Sequence, residues 1–173
     1  MTEKQQNIFN AALELFSSEG VDATSTSKIA KRAGVSEGLI FRHFKNKEGL
    51  LQAILEEGLN KGEAYFREIA SEENPKKRIL SALQLPFSIS PNEYPFWRLF
   101  YTLKWQRCNI ETEGVMDFRT SLSDAFTQLK YTNPEAEARL VEAIIDGVAT
   151  EILIKNLDPQ PLLQCLLDKY KLK

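Results

Sequence analysis

The stretch TSKIAKRAGVSEGLIFRHFKNKEGL, Thr26 to Leu50, decides how the rest of the chain is read. Thr24 and Ser25 offer caps for a short helix running from Ser25 to Ala33. Gly34 takes the left-handed turn that ends it, and Ser36 caps a further helix reaching about Phe44. Ala30, four residues before Gly34, is small enough to let the second helix come close. Ile29, Val35 and Ile40 supply the apolar contacts that hold the pair at its angle. Two short helices joined by a tight turn form a helix-turn-helix, whose second helix enters a major groove with its first residues at the base edges. Gly38 weakens that helix but leaves its backbone bare, so a duplex can approach.

The charge around this stretch supports the same partner. Between Thr24 and Lys47 stand Lys28, Lys31, Arg32, Arg42, Lys45 and Lys47 against Glu37 alone, six cations and one carboxylate, a net +5. The formal total is −2, so the remainder carries −7. A basic patch on an acidic body points to a polyanion meeting one face, with a solvated face as the alternative.

Outward from there, helical periodicity prevails. Ile8, Ala11, Ala12, Leu15 and Phe16 line one face of a first helix that stops near Gly20. Asn46 precedes a long fourth helix with Leu50, Leu51, Ile54 and Leu55 on its stripe and Gly58 and Gly62 as weak points. Asn74-Pro75, Asn133-Pro134 and Asp158-Pro159 each read as a cap followed by proline, marking three more helix starts. Pro86, Pro91 and Pro95 break the chain before the aromatic helix FWRLFYTLKWQR, and another helix is expected over Glu113–Lys130. The fold class is all-α with about nine helices: a three-helix DNA-binding head over residues 1–46 and a helical-bundle body over 47–173.

The string TSTSKIAKRAGVSEGLIFRHFKNKEGLL resembles the DNA-binding signature of the TetR family of bacterial transcriptional regulators. The likeness runs through Ile29-Ala30, Ala33-Gly34-Val35-Ser36, Gly38, His43-Phe44, Lys47-Glu48 and Leu50, and extends back over AALELFSSEGVDATS. It covers about the first third of the chain; the remainder is similar in helical content and length only. The resemblance implies that Thr26 and Lys47 touch phosphates, that Ser36, Glu37, Gly38 and Leu39 face bases or nearby backbone, and that Phe41, Arg42 and His43 lie on the DNA side with Phe44 in the core. Phe41 stands where the family usually has tyrosine, so a hydroxyl contact to phosphate is missing and Arg42 is the neighbour to replace it. Glu37 either accepts from a cytosine amino group or faces solvent at the helix N-terminus.

The resemblance further implies a homodimer, a double-stranded DNA operator and an unidentified small-molecule effector, with repression as the commoner mode. On the residues, Leu140, Ile144, Gly147, Val148 and Ile152 of one helix and Leu163, Leu166 and Leu167 of the last form a stripe wide enough for a partner, an ordinary monomer core being the alternative. Phe66, Phe87, Trp97, Phe100, Tyr101 and Trp105, with Asp146 as a polar anchor beside Arg98, Gln106 and Arg107, are the candidates to line a cavity for an apolar or aromatic guest, or else to fill a core.

Other classes find no support in the residues. No nucleophile elbow, phosphate loop, metal-type cluster or carboxylate pair is recognisable, so no catalytic residue, metal or cofactor is expected. Cys108 and Cys165 stand alone. No apolar run suits a membrane span and no signal peptide is visible, so a cytoplasmic protein is expected. The rival function is a helix-turn-helix protein governed by a protein partner, without an inducer.

Overall fold

The structure, a computed structural model, describes residues 1–107, 112–155 and 157–170. Cys108 and the side chain of Arg107 lie outside the described residues. The described residues form nine helices and no strand: α1 (Glu3–Glu19), α2 (Thr26–Ala33), α3 (Glu37–Phe44), α4 (Lys47–Ala70), α5 (Pro75–Gln84), α6 (Tyr94–Arg107), α7 (Glu113–Gln128), α8 (Pro134–Leu153) and α9 (Gln160–Lys169). The all-α expectation holds. Two 3-10 turns, Leu85–Phe87 and Pro91–Glu93, occupy the proline-broken region before α6.

The caps follow the sequence closely. Asn74 accepts from the N–H groups of Lys76 and Lys77, and Asn133 from that of Ala136, each ahead of a proline at the first helical position. At the third such pair the helix begins one residue later than expected. Asp158 accepts from the Gln160 N–H at 3.2 Å, and Pro159 sits outside α9.

Contacts divide the chain into two compact units. One holds Met1–Asn60 and the segment from Asn92 through α6, and the other holds Lys61–Pro91 and the described residues after α6. The first unit thus reaches past the boundary expected at residue 46. The start of α4 is anchored there by Asn46, whose side chain accepts from the Gly49 N–H at 2.9 Å, and α6 packs on α1. Ser17 at the end of α1 donates to the Pro95 carbonyl at 3.1 Å. Buried in this unit are Ile8, Ala12 and Phe16 of α1, Ile29 of α2, Ile40 and Phe44 of α3, Leu50 and Ile54 of α4, and Phe96, Trp97, Phe100 and Tyr101 of α6.

α4 runs unbroken through Gly58 and Gly62. Gly58 lies against the Phe100 ring, and a Cβ there would stand 2.1 Å from Phe100 Cδ2. Phe100 is itself held edge-on by Trp97 at 5.5 Å and Tyr101 at 5.7 Å. Gly58→Ala is therefore expected to destabilise the protein by about 1–3 kcal/mol through overpacking, despite alanine's better helix propensity. A Cβ at Gly62 meets nothing within 4 Å, so Gly62→Ala is expected to stabilise by up to about 1 kcal/mol. Thermal melts of the two variants shifting in opposite directions confirm this packing; shifts of the same sign contradict it.

The second unit is built on α7 and α8, with α5 across them and α9 against α5. Its core gathers Ile79, Leu83, Phe118, Leu122, Phe126, Val141 and Ile145, and Phe66 of α4 stacks on Phe118 with ring centroids 4.3 Å apart. Arg119 of α7 and Glu142 of α8 form a half-buried ion pair at 2.8 Å. Burial raises the Glu142 carboxyl above its ordinary value and Arg119 works against that shift.

Tyr170 ends the described chain inside this core, its hydroxyl buried without a hydrogen-bond partner among the described residues. Burial, with Glu137 and Tyr131 adding to it, pushes the phenol up to about 12 from 10.0. The folded state therefore keeps the proton where the unfolded chain loses it. Stability from this group is complete below about pH 10 and falls as pH rises toward about 12. Tyr170→Phe is expected to flatten that alkaline limb in melts taken across the range, with little or no loss at neutral pH, because the unpaired hydroxyl goes too. An unchanged limb contradicts the assignment.

Candidate nucleic-acid interface

The turn between α2 and α3 is a Schellman closure. The Val35 N–H donates to the Ala30 carbonyl at 3.0 Å, and the Gly34 N–H to that of Lys31 at 3.3 Å. Gly34 sits at φ 67°, a left-handed conformation that a side chain resists. Ser25 caps α2 by accepting from the Lys28 N–H, while Thr24 is buried with its hydroxyl donating to the Gly20 carbonyl at 2.8 Å. Ile29 and Ile40 are fully buried and Val35 partly so, as the helix-turn-helix pattern requires.

α3 presents its other side outward. Ser36, Gly38, Phe41 and Arg42 are exposed, Phe41 to 50%, and Glu37, Leu39 and His43 are partly so. Ser36 makes no side-chain cap bond, leaving its hydroxyl available. A Cβ at Gly38 would meet nothing within 4 Å, so the backbone there is open. Phe44 turns inward.

The cations are sorted by their partners. Lys28 pairs with Glu19, and Arg32 with Glu14 at 2.8 Å, both carboxylates of α1. Lys47 donates to the carbonyls of Val21 at 2.9 Å and Thr24 at 3.3 Å, tying the loop between α1 and α2 to the start of α4. That commits two of its three N–H bonds and makes Lys47 a structural tie as well as a phosphate candidate. Among the described residues, the side chains of Lys31, Arg42 and Lys45 have no hydrogen bond or ion pair, and Arg42 is on α3 itself. Lys31 and Lys45 were legible as charges but not as unpartnered ones.

Gln5 is the residue the sequence reading missed. Its Oε1 accepts from the Thr2 N–H at 2.7 Å, closing a capping box, so its Nε2 is the atom facing His43 Nδ1 at 3.3 Å. An amide nitrogen only donates, so Nδ1 accepts and the neutral imidazole carries its proton on Nε2. That leaves Nε2 as the donor nitrogen of a partly exposed ring on α3. The Thr-x-x-Gln spacing at Thr2 was the available signal. The remaining pair is Thr26, whose hydroxyl donates to Glu37 Oε1 at 2.6 Å.

The other candidate sets fare unevenly. Of the proposed cavity residues, Trp97, Phe100 and Tyr101 come together, buried in the first unit, while Phe66, Phe87 and Asp146 belong to the second. Trp105 is 55% exposed, a departure from the expected lining, because eight residues at about 100° each turn it about 80° from Trp97. Of the stripe residues, Leu140 (42% exposed), Gly147 and partly Ile144 face outward on α8. Val148 and Ile152 instead turn into their own core, on the face of Val141 and Ile145. α9 has no buried residue, and Leu163, Leu166 and Leu167 are half-buried. An open acidic cleft of about 550 Å³ lies between α4 and α5, lined by Glu68, Ile69, Ser71, Glu72, Glu73 and Ser81. Among the described residues no three His, Cys, Asp or Glu side chains converge as a metal-ligand set, and no helix is long and apolar enough to cross a membrane.

Residues 8–54 match the family described as bacterial regulatory proteins, tetR family. Over 55 residues the chain is 47% identical to the uncharacterized HTH-type transcriptional regulator YvkB of Bacillus subtilis, covering 32% of this chain and 29% of that protein. The chain thus matches less than a third of that relative's length. Two solved structures share the fold across nearly the whole chain. FadR of Bacillus subtilis in complex with stearoyl-CoA superposes with a TM-score of 0.72 at 22% identity, covering 96% of this chain and 97% of that one. SmeT, the repressor of the Stenotrophomonas maltophilia efflux pump SmeDEF, does so at 0.73 and 21% identity, covering 98% and 90%.

Proposed function

We propose that this chain, which belongs to the TetR family of bacterial regulatory proteins and is a helix-turn-helix transcriptional regulator, acts as a homodimeric repressor released from a near-palindromic operator by a small apolar or aromatic ligand. The observation that carries the DNA half is the outward side of α3, where Arg42 stands without a partner among the described residues, beside the bare backbone of Gly38 and the His43 ring. Ser36, Glu37, Leu39 and Phe41 complete the face, with Lys31, Lys45 and the remaining donor of Lys47 at its margins. Binding to any duplex at low salt that weakens steeply as salt rises, through counterion release, is the expected result. Salt-independent binding, or none, contradicts it.

Dimerisation is supported by apolar surface that the single chain leaves uncovered: Leu140 on α8, Ile154 (41% exposed) just past its end, and the half-buried leucines of α9. Two heads about a two-fold axis demand half-sites about one helical turn, 34 Å, or a multiple apart. A ligand is supported by the buried Trp97 indole, which lies among edge-on aromatic rings and whose N–H has no partner among the described residues. A donor in apolar surroundings suits an apolar guest that carries an acceptor. The related FadR was solved with stearoyl-CoA, an acyl chain with such acceptors. Release then follows if the guest prefers a state in which the heads are wrongly spaced.

A further inference from the structure

We propose that Glu37 reads a cytosine in the major groove and that Thr26 is the positioning residue that aims it, an inference that rests on the DNA-binding reading above. Glu37 is the first residue of α3 and the lone carboxylate between Thr24 and Lys47. Six cations surround it in sequence, and none has taken it as a partner. Its Oε1 instead accepts the Thr26 hydroxyl proton at 2.6 Å, joining the first turn of α2 to the first turn of α3. The distance is that of a strong hydroxyl-to-carboxylate bond. The bond removes the free rotation of the Glu37 side chain. Its Oε2 has no partner among the described residues.

A carboxylate fixed at the start of a recognition helix repels phosphate, so only a donor in the groove compensates it. The major-groove edge offers two amino donors, cytosine N4 and adenine N6. Adenine N6 lies beside the N7 acceptor of its own base, which repels an acceptor-only group. Cytosine N4 is flanked on its own base by a C5–H instead, and accommodates the carboxylate. The Thr26 hydroxyl, its proton committed to Glu37, cannot also donate to phosphate. Its role is therefore to orient Glu37, where the family resemblance implied a phosphate contact.

The test measures fluorescence anisotropy on a duplex carrying the half-site obtained by selection, with every base pair replaced in turn. It compares the wild-type chain with Glu37→Gln, Thr26→Val and Thr26→Ser, each checked for an intact fold by circular dichroism. The wild type is expected to lose about tenfold or more in affinity when one cytosine per half-site is replaced. Glu37→Gln abolishes that preference at that position alone and binds non-specific duplex more tightly, because a negative charge is gone. Thr26→Val flattens the same position, and Thr26→Ser restores it. Absence of a required cytosine, or its survival in Glu37→Gln, overturns the inference. Thr26→Val weakening every position equally also overturns it, since that is the mark of a merely structural tie. Failure of the wild type to prefer any duplex is a different result, and removes the DNA-binding reading as well.

Discussion

Arg42→Ala weakens binding to the selected operator by about 30-fold to 10⁴-fold, corresponding to about 1–3 kcal/mol for each of two heads. The size of the effect comes from the side chain's isolation. Arg42 is exposed on α3, and among the described residues nothing competes for its guanidinium. Arg32 is the matched comparison, since it carries the same charge but is held by Glu14. Arg32→Ala removes one cation and frees the Glu14 carboxylate of α1, and its effect is expected to stay under about tenfold, the range of surface charge changes. If Arg42 holds a phosphate, the salt slope falls by nearly 1 per head. If it holds a guanine, selectivity at one base pair relaxes instead. Equal losses for the two variants contradict the sorting of the cations.

Gly147→Glu is expected to separate the proposed dimer without harming the chain that forms it. Gly147 is exposed on α8, and a Cβ there meets nothing within 4 Å. In the single chain the substitution is expected to be neutral or stabilising, since glutamate favours helix over glycine by roughly 0.5 kcal/mol or more. In the proposed interface α8 packs on its symmetry copy, so each chain's glutamate puts a carboxylate where a close helix approach is expected. Sedimentation is expected to show monomer at micromolar concentration, with operator affinity reduced by about 10³-fold or more toward the non-specific level. A stable dimer that still binds the operator places the interface elsewhere.

Much of this head was legible in the residues because its determinants are local. Ser25, Ala30, Gly34 and Ile40 act within one turn or the next, and the structure places each as its chemistry requires. The partners of the cations were not legible. Lys28 and Arg32 meet carboxylates 9 and 18 residues away, and Lys47 meets carbonyls 26 and 23 residues away. Such pairings depend on how α1 crosses α2, which no spacing encodes. The same limit applies to Trp105, read as lining because helical periodicity was followed over eight residues, and to Val148 and Ile152, whose helix is apolar on more than one side. Gly58 was read as a place where α4 yields; it is instead a seat for Phe100, a contact 42 positions ahead.

Selection from a random duplex pool, followed by sequencing of the bound fraction, tests most directly whether two α3 helices meet one duplex. Enrichment of a near-palindrome whose half-sites lie about 10 base pairs or a multiple apart is the predicted result. A folded, intact protein that enriches no sequence, or only an unpaired half-site, contradicts it.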